Sequence, residues 1–495
     1  MRRLKSFTLL LLVSTIVLSG IVADGQTIRF ANHRDIGPPE YAALRVGPFY
    51  SSVTFSQSIG VWWTEGRGAG TDFLYGTRRG RVRKDGWDIP LIAELSTRNY
   101  IILGRHTDLD ISIFAGYYYY PFGTQEDEFY LNVAEPGVSA EFAFTSEFYL
   151  TPNIRGSLYF TPTIAVDFVD DRGQIDETGG RRFFHLDSTA GVSLDWLAGK
   201  NLNVGADFRR MDLVSFEDEF DDQEFTEYNA TLSTERGFFD LFLVGVRGSA
   251  RDVDYEDTGR DDTRFYTAEL YYSGNHREAL GIPLGDDATL GASIGYSVAE
   301  RTQLADSGSI DFDAGTDQRL IWSLTIDYGK MARTENNFTH EIGLNRSHTG
   351  GFNADVLVED TAEYTLTWYT GPLDIGFSSR FINAEPQDDD VNAYWDWATT
   401  LGVTYHLARF WSIDLNTTYS IRDNEAYLGE DEDDAPPDLT DDYKTWTTIL
   451  RTSYDFTEHW SCTAFASHVD RRADSDDFTY GRSTAGTTLV YTRSF

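Results

Sequence analysis

The sequence predicts an all-β fold, a closed transmembrane antiparallel up-and-down β-barrel of about 20 strands, within a range of roughly 16 to 20. Apolar and polar residues alternate along most of the chain. From Trp411 to Arg422, for example, one set of alternate residues is almost wholly apolar and the other polar. Successive side chains of a strand point to opposite faces, so each such segment has an apolar face and a polar face. No stretch shows a comparable helical periodicity.

The predicted connections between these strands fall into two length classes. Short connections are predicted at residues 151–153, 198–201, 371–373, 407–410 and 457–460. Long acidic connections are predicted at residues 217–227, 255–263, 383–391, 428–442 and 472–478. Short turns at one rim and long loops at the other are typical of outer-membrane barrels, in which the short turns lie in the periplasm.

The first residues read as an export signal. Three basic residues precede an apolar run over residues 7–18, and small residues follow up to Ala23. This order is typical of a secretory signal peptide with cleavage after Ala23. The predicted division of the chain is residues 1–23 as signal peptide, 24–42 as a periplasmic lead-in and 43–495 as the barrel.

Composition narrows the class of protein further. The chain has 79 acidic and 41 basic residues, a net charge of −38, and such a balance argues against a nucleic-acid partner, which requires a basic surface. Cys462 is the only cysteine, so no intrachain disulfide can form. The mean hydropathy of −0.37 is compatible with a barrel, because half of each strand is polar.

The face assignment follows from placing the apolar side against lipid. Lipid contact is expected for Trp411, Ile413, Leu415, Tyr419 and Ile421. Aromatic residues are enriched at membrane–water interfaces, and an aromatic girdle near the short turns is expected from Trp411, Trp460, Tyr454, Trp196 and Tyr328. The alternative is that these aromatics form ordinary cross-strand pairs in a soluble β-fold.

The end of the chain carries a family resemblance. Residues 485–495 read AGTTLVYTRSF, and one predicted face presents Ala485, Thr487, Leu489, Tyr491 and Phe495. This resembles the terminal strand of bacterial outer-membrane barrels, in which the final aromatic and the alternating apolar residues form an assembly signal, here Tyr491 and Phe495. Arg493 departs from that pattern, although a long basic side chain can extend to the interface.

From about residue 43, the chain resembles bacterial outer-membrane porin-like β-barrels. The resemblance implies a location in the outer membrane of a Gram-negative-type bacterium. It also implies outer-membrane lipid and the barrel-assembly machinery as partners.

Some residues of the sequence have the composition of catalytic or metal-binding sites. A histidine beside a carboxylate can orient a general base, and three such pairs are His185 with Asp187, His106 with Asp108, and His406 near Asp396. With nine histidines and 79 acids, neighbours of this kind are expected by chance. We therefore predict no catalytic residue, no cofactor and no metal site, and no enzyme activity. Divalent cations at the acidic loops are an alternative to plain solvation of those loops.

The polar face of the predicted strands supplies the candidate pore lining. It comprises Asp187, Asp195, Asp327, Asp374, Arg380, Asp414, Asn416, Arg422, Arg451 and Asp455. Five of these acids lie near the short-turn ends of their strands, namely Asp195, Asp327, Asp374, Asp414 and Asp455. Inward arginines lie mostly nearer the long loops, as Arg319, Arg380 and Arg422 do, with Arg451 as an exception.

The function expected from this lining is passive diffusion of small hydrophilic solutes, with a preference for cations. The alternatives are a component of exopolysaccharide secretion and, less favoured, a barrel enzyme. Conductance in planar bilayers separates the first function from the other two.

The long segment 428–442 is expected to lie outside the cell, because its clustered acids cannot be buried without partners. An epitope tag inserted there should be reached by antibody on intact cells. A tag that becomes accessible only after the outer membrane is broken would reverse the predicted topology.

Overall fold

The structure is a computed structural model built almost entirely of β-strands. It describes residues 43–68, 76–77, 80–81, 85–122, 128–131, 138–169, 181–199, 201–216, 220, 223–238, 242–255, 262–275, 278–279, 282–283, 288–304, 310–311, 316–329, 337–350, 356–386, 393–424, 442–473 and 479–494. Within these residues, no helix is both long and apolar enough to cross a membrane. The predicted signal peptide, the lead-in, most of the acidic loop residues and Phe495 lie outside the described residues.

Twenty long strands form the wall, and they are numbered here in chain order. They are β1 Phe49–Gly68, β2 Leu91–Ile102, β3 Thr107–Tyr119, β4 Val138–Thr151, β5 Ile154–Val169, β6 Arg181–Gly199, β7 Leu202–Ser215, β8 Phe225–Phe238, β9 Phe242–Tyr255, β10 Asp262–Asn275, β11 Thr289–Leu304, β12 Thr316–Gly329, β13 Asn337–Thr349, β14 Leu357–Thr370, β15 Leu373–Pro386, β16 Tyr394–Ala408, β17 Trp411–Asn424, β18 Tyr443–Asp455, β19 Trp460–Ala473 and β20 Tyr480–Ser494.

Several short strands pair with the long strands of the wall. Leu44–Val46 pairs with the start of β1, and Gly86–Asp88 pairs with residues 62–64 of the same strand. Glu128–Leu131 pairs with β3, and Ile310–Asp311 pairs with β11. Two small hairpins stand apart from the main sheet, Gly76–Thr77 with Gly80–Arg81 and Glu278–Ala279 with Ile282–Pro283.

The sheet closes on itself. Each long strand pairs antiparallel with the next in the chain, and β20 pairs antiparallel with β1 from Thr54↔Ser494 to Gly68↔Tyr480. Closure leaves no sheet edge, so the backbone groups of the first and last strands are paired with each other. The predicted all-β antiparallel barrel of about 20 strands is confirmed.

The connections differ in length between the two rims. At one rim, seven of nine connections have four residues or fewer, the exceptions being 276–288 and 330–336. At the other rim, all ten connections have at least six residues. The five predicted short turns all lie at the first rim, called here the short-turn rim, and the opposite one is the long-loop rim.

Some predicted loops were placed too long. β8 begins at Phe225, so Glu227 belongs to a strand rather than to the acidic loop 217–227. β15 runs to Pro386, so the first four residues of the loop predicted at residues 383–391 belong to the strand. The error arises because the acids at these strand ends lie in the alternating pattern but resemble loop composition.

The apolar face of the wall is the exposed one. Leu415 and Leu450 lie opposite each other on β17 and β18 and are 36% and 47% exposed, as expected of side chains that no core covers. Leu320 and Leu270 are 55% and 51% exposed on the same face of other strands. The ion pairs described below lie on the other face, so the apolar face is the outer face of the barrel.

Aromatic residues form two levels on that outer face. Near the short-turn rim, Trp411 contacts Tyr454 with ring centroids 6.2 Å apart, and Trp460 contacts Tyr491 at 4.9 Å. Trp196 and Tyr328 lie at the same end of their strands. Nearer the long-loop rim, the ring centroids of Tyr419 and Trp446 are 5.6 Å apart. Trp411 and Tyr419 are eight residues apart on a tilted strand, which corresponds to about 20 Å of height, close to the apolar band of a membrane barrel.

The two faces of β17 give a direct test. Leu415→Arg places a charge in the apolar band and should destabilise the barrel by about 2–4 kcal/mol. Asn416→Arg places the same charge on the polar face and should have a much smaller effect. The fraction of heat-modifiable folded barrel on gels measures both, and equal mild effects would contradict the face assignment.

Candidate pore

The inner face of the barrel is polar along its whole height. All ten residues of the predicted lining lie on this face, because each occupies the strand position opposite to the outward apolar residues. Asp374, for example, lies opposite Thr404, and Thr404 lies opposite Asp414. Contact of solutes with these side chains stays a prediction.

The five acids at the short-turn end differ in their surroundings. Asp195 forms an ion pair with Arg155 at 2.9 Å, and Asp374 lies 3.0 Å from His406 Nε2. Asp414 accepts a hydrogen bond from Thr404 at 2.8 Å and lies opposite Arg451 in the register. Arg155 and Arg451 therefore offset part of the negative charge that sequence alone predicts for this level.

Asp327 and Asp455 complete that level. Asp327 lies opposite another acid, Glu341, on β13. Asp455 is exposed at the end of β18 and lies opposite Ser461. Asp327 and Glu341 thus place two carboxylates side by side near this rim, and Asp455 adds another inward carboxylate.

Inward arginines toward the long-loop rim are ion-paired. Arg380 Nε lies 2.8 Å from Glu363, and Arg319 Nε lies 2.9 Å from Asp317. Asn416 lies nearer the short-turn rim on β17, where it is exposed to the lumen opposite Gly402. The exposed pair of Arg380 and Glu363, each about half exposed, contributes little to stability but presents both charges to the lumen.

Arg422 is held more firmly than the others. Its Nε and Nη2 atoms donate to Asp396 at 2.8 and 3.1 Å, a bidentate arrangement that fixes the guanidinium plane. The rings of Tyr394 and Tyr443 lie on either side, with centroids 5.8 and 5.1 Å from Cζ. Arg471 stacks on Tyr443 at 3.7 Å. Both arginines are buried, so they stabilise the wall rather than present free charge.

His406 has a different partner from the one that the sequence indicated. It lies beside Asp374, because the two residues are near the short-turn rim on adjacent strands β16 and β15. Asp396 lies at the other end of β16, where it binds Arg422. The predicted proximity of His406 and Asp396 is therefore wrong.

A buried carboxylate lies near the long-loop rim. Glu227 on β8 is 1% exposed, and its Oε2 atom lies 2.8 Å from Arg251 Nε. Arg209 approaches the other carboxylate oxygen at 3.6 Å. Two arginines balance the charge that burial would otherwise disfavour.

The top of the β13–β14 hairpin leans into the lumen. β12 and β13 pair only up to Trp322↔Arg346, and beyond this point Thr349 accepts a hydrogen bond from Arg251 Nη1 at 2.6 Å. Arg251 is on β9, four strands away, and adjacent strands lie about 4.8 Å apart. An arginine cannot span that distance along the wall, so the end of β13 must cross the interior.

Packing confirms the inward course of this hairpin. Val356, just before β14, is fully buried against Phe265 of β10 and Ala299 of β11. His348 Nε2 lies 3.2 Å from Asp317, and its ring meets Phe265 edge-on at 5.7 Å. The hairpin end therefore covers the inner surface of β10 and β11 and narrows the lumen at the long-loop rim.

Two further connections pack inward at the same rim. Tyr120, after β3, is buried against Ile92 and the partly buried Trp62. Phe220, between β7 and β8, is buried against Phe183 and the partly buried Leu213. The lumen is consequently narrower near the long loops than the strand count alone implies.

The structure places His185 beside its predicted partner. His185 Nε2 lies 3.5 Å from Asp187, while Nδ1 lies 3.3 Å from the Phe183 carbonyl oxygen and the ring stacks on Phe183 at 4.3 Å. Both ring nitrogens therefore have neighbours that fix the ring. No group of three or more His, Cys, Asp or Glu residues suited to a metal occurs within the described residues, and the acidic loops proposed for divalent cations lie mostly outside them.

Several inner-wall residues were not anticipated. Arg155, Arg251, Glu227 and Arg471 all form inward contacts. Each occupies an inward position in the two-residue period of its strand, so extending that period to the end of every strand would have placed them inward. Their partners could not have been read in the same way, since they depend on the register and on the leaning hairpin.

The chain matches no known protein-family model, and no curated protein is significantly similar to it in sequence. In structure it is similar to OpdL of Pseudomonas aeruginosa, with 9% identity and a TM-score of 0.34 over 90% of this chain and 99% of the other. It is also similar to the FrpB iron transporter of Neisseria meningitidis, with 9% identity and a TM-score of 0.45 over 89% and 81% of the two chains. TM-scores this low carry no conclusion about function.

The Arg422–Asp396 pair should be important for stability. Asp396→Asn leaves a buried guanidinium without its counter-charge and should reduce the free energy of unfolding by about 3 kcal/mol. Glu363→Gln, at the exposed pair with Arg380, is the matched control and should change it by less than about 1 kcal/mol. The temperature at which the folded band disappears on gels reports both, and equal shifts would contradict the assigned roles.

Proposed function

We propose that this chain forms a water-filled channel in the outer membrane of a Gram-negative-type bacterium, through which small hydrophilic solutes diffuse passively. The observation that supports it most strongly is the opposition of the two faces on a closed wall of 20 strands. An apolar exterior with two aromatic levels fits lipid, and a polar interior fits water. Barrels of this strand number are too wide for inward side chains alone to fill.

The narrowing at the long-loop rim supports small solutes over a polymer as cargo. The β13–β14 hairpin end, Tyr120 and Phe220 all occupy space inside the wall. A conduit for a polysaccharide chain requires an open passage at both rims, whereas a channel for small solutes requires only gaps of molecular size.

The charge distribution supports a preference for cations. Asp327, Glu341 and Asp455 face the lumen near the short-turn rim, and the chain carries a net charge of −38. Charged rings of one sign favour the opposite ion. The preference should be moderate, because Arg155 lies beside Asp195 and Arg451 lies opposite Asp414.

Purified barrel in planar bilayers tests the channel. Stepwise single-channel conductance is expected, with transient block by small sugars that enter the lumen. Folded protein that inserts into bilayers without conducting would exclude the channel and favour a binding or enzymatic role.

The reversal potential in a KCl gradient tests the ion preference. Wild-type protein should prefer cations, and less so in high salt, since exposed charges are screened within about 10 Å at 0.1 M. Changing both Asp374 and Asp414 to Asn should weaken the preference, while Asp470→Asn on the outer face should not. Anion preference of the wild type, or no effect of the double change, would refute the acidic level without affecting the barrel.

A further inference from the structure

The end of the β13–β14 hairpin lies across a single row of the inner wall. The row consists of residues that lie opposite one another on β9, β10, β11 and β12, namely Arg251, Phe265, Ala299 and Asp317. Three residues of the hairpin cover this row, namely Thr349 at β9, Val356 at β10 and β11, and His348 at β12. One apolar contact and two polar contacts thus hold the hairpin against the wall.

The edge of β12 offers the hairpin a second position. β12 pairs with β11 along residues 316–327, but with β13 only up to the pair Trp322↔Arg346. Residues 316–321 therefore have a strand neighbour on one side only, which is unfavourable in a membrane wall. Continuing the β12–β13 register would place His348 opposite Leu320. A straight β13 would thus complete the wall.

His348 is enclosed when the hairpin lies on the inner wall. Its side chain is 0% exposed, and its Nε2 atom lies 3.2 Å from Asp317 Oδ2. The ring meets Phe265 edge-on, and Val358, which lies opposite on β14, is 1% exposed. Nδ1 has no hydrogen-bond partner among the described residues. These surroundings suit a neutral imidazole, since its single N–H group can face Asp317.

Protonation makes this enclosed position unfavourable. An imidazolium has an N–H donor on both ring nitrogens, so the Nδ1 proton would be buried without an acceptor. Burial also disfavours the charged form of histidine. Asp317 offsets this only in part, because the same Oδ2 atom already binds Arg319 Nε at 2.9 Å. Arg319 in addition brings a like charge toward the ring.

Among the described residues, the other charged groups around the hairpin end are paired, basic, exposed or on its far face. They are Arg346 with Asp360, Arg251 with Glu227, Arg301 on β11, the exposed Glu385 on β15, and Glu359, which lies opposite Ser347 on the lumen-facing side. β10 contributes the uncharged Phe265 ring. Asp317 and Arg319 are therefore the charges that decide the state of His348.

At the edge of β12, the ring of His348 would be in contact with water. Leu320 is 55% exposed and lies eight residues from Tyr328, the spacing that also separates Trp411 from Tyr419. His348 opposite Leu320 would therefore lie at the level of the upper aromatic residues, the membrane–water interface, where an imidazolium is hydrated. Protonation thus favours the position at β12, and the neutral ring favours the inner wall.

We propose that protonation of His348 moves the end of the β13–β14 hairpin from the inner wall to the edge of β12, and so widens the lumen at the long-loop rim. A ligand, here the proton, shifts a two-state equilibrium only by its different affinity for the two states. The buried ring without an acceptor at Nδ1 supplies that difference. The widening rests on the proposed channel, whereas the position of the hairpin is measured without conduction.

Spin-label distance measurements on the folded barrel in lipid nanodiscs test the movement. Labels at Ser347→Cys on the hairpin and Ser96→Cys on the inner face of β2 lie nearly across the lumen, in a Cys462→Ser background. Between about pH 7.5 and about pH 5, on either side of the ordinary titration of histidine, the ratio of the longer-distance to the shorter-distance population should rise at least about tenfold. Identical distance distributions at the two pH values would overturn the proposal.

Substitutions show whether His348 is the group that titrates. His348→Phe keeps a ring but no proton and should hold the hairpin on the inner wall at both pH values. His340→Gln, at an outward histidine of the same strand, is the matched control and should respond as wild type does. Arg319→Gln frees Asp317 to pair with an imidazolium and should reduce the response to acid, which tests the proposal even if His348→Phe does not fold. Movement in His348→Phe, or an undiminished response in Arg319→Gln, would overturn it.

Bilayer conductance separates this pH switch from the channel. Wild-type conductance should increase at about pH 5, and that of His348→Phe should not. Constant conductance in a barrel whose hairpin moves would overturn the widening. A hairpin that moves in protein that conducts at neither pH value would exclude the channel while supporting the switch.

Discussion

The pairing of backbone hydrogen-bonding groups is the constraint on which the rest of this structure depends. A strand in contact with hydrocarbon cannot leave its N–H and C=O groups unpaired, and only a closed sheet pairs all of them without an edge. The β1–β20 pairing from Thr54↔Ser494 to Gly68↔Tyr480 supplies that closure. Once the wall is closed, every strand has one face toward lipid and one toward the lumen, and the alternation of the sequence follows from this.

The two faces place opposite demands on charge. On the inner face, arginines are paired with carboxylates from neighbouring strands, as Arg422 is with Asp396 and Arg155 with Asp195. Glu227, which is 1% exposed, is paired with Arg251 near the long-loop rim. The buried charged groups of this face are thus held beside partners of opposite charge.

The sequence alone predicted the features that depend on the two-residue alternation of side chains along a strand. The faces of β17, the levels of Trp411 and Trp460, and the inward direction of Asp374 and Asp414 follow from alternation and from the positions of short turns. It could not predict the features that depend on which residues of adjacent strands lie opposite each other. The partner of His406 was misassigned because Asp396, ten residues away on the same strand, lies at the opposite rim, whereas Asp374 comes beside His406 only through the pairing of β15 with β16.

Features that depend on departures from regular pairing were also beyond the sequence. Nothing in the alternation of β13 indicates that its pairing with β12 ends at Arg346 and that Thr349 reaches Arg251 across the lumen. This departure narrows the lumen at the long-loop rim, although a barrel of 20 strands is wide.

Glycine shows how the inner wall gains rigidity without blocking the lumen. Tyr159 lies across Gly191 and donates to Asp207 on the second strand along, at 3.2 Å. Tyr271 lies across Gly245 and donates to Glu235 in the same way, at 3.1 Å. A Cβ atom at either glycine would lie 2.2–2.3 Å from the ring or its hydroxyl. The absent side chain lets a large ring lie flat along the wall, so three strands are joined by one hydrogen bond and the lumen stays open.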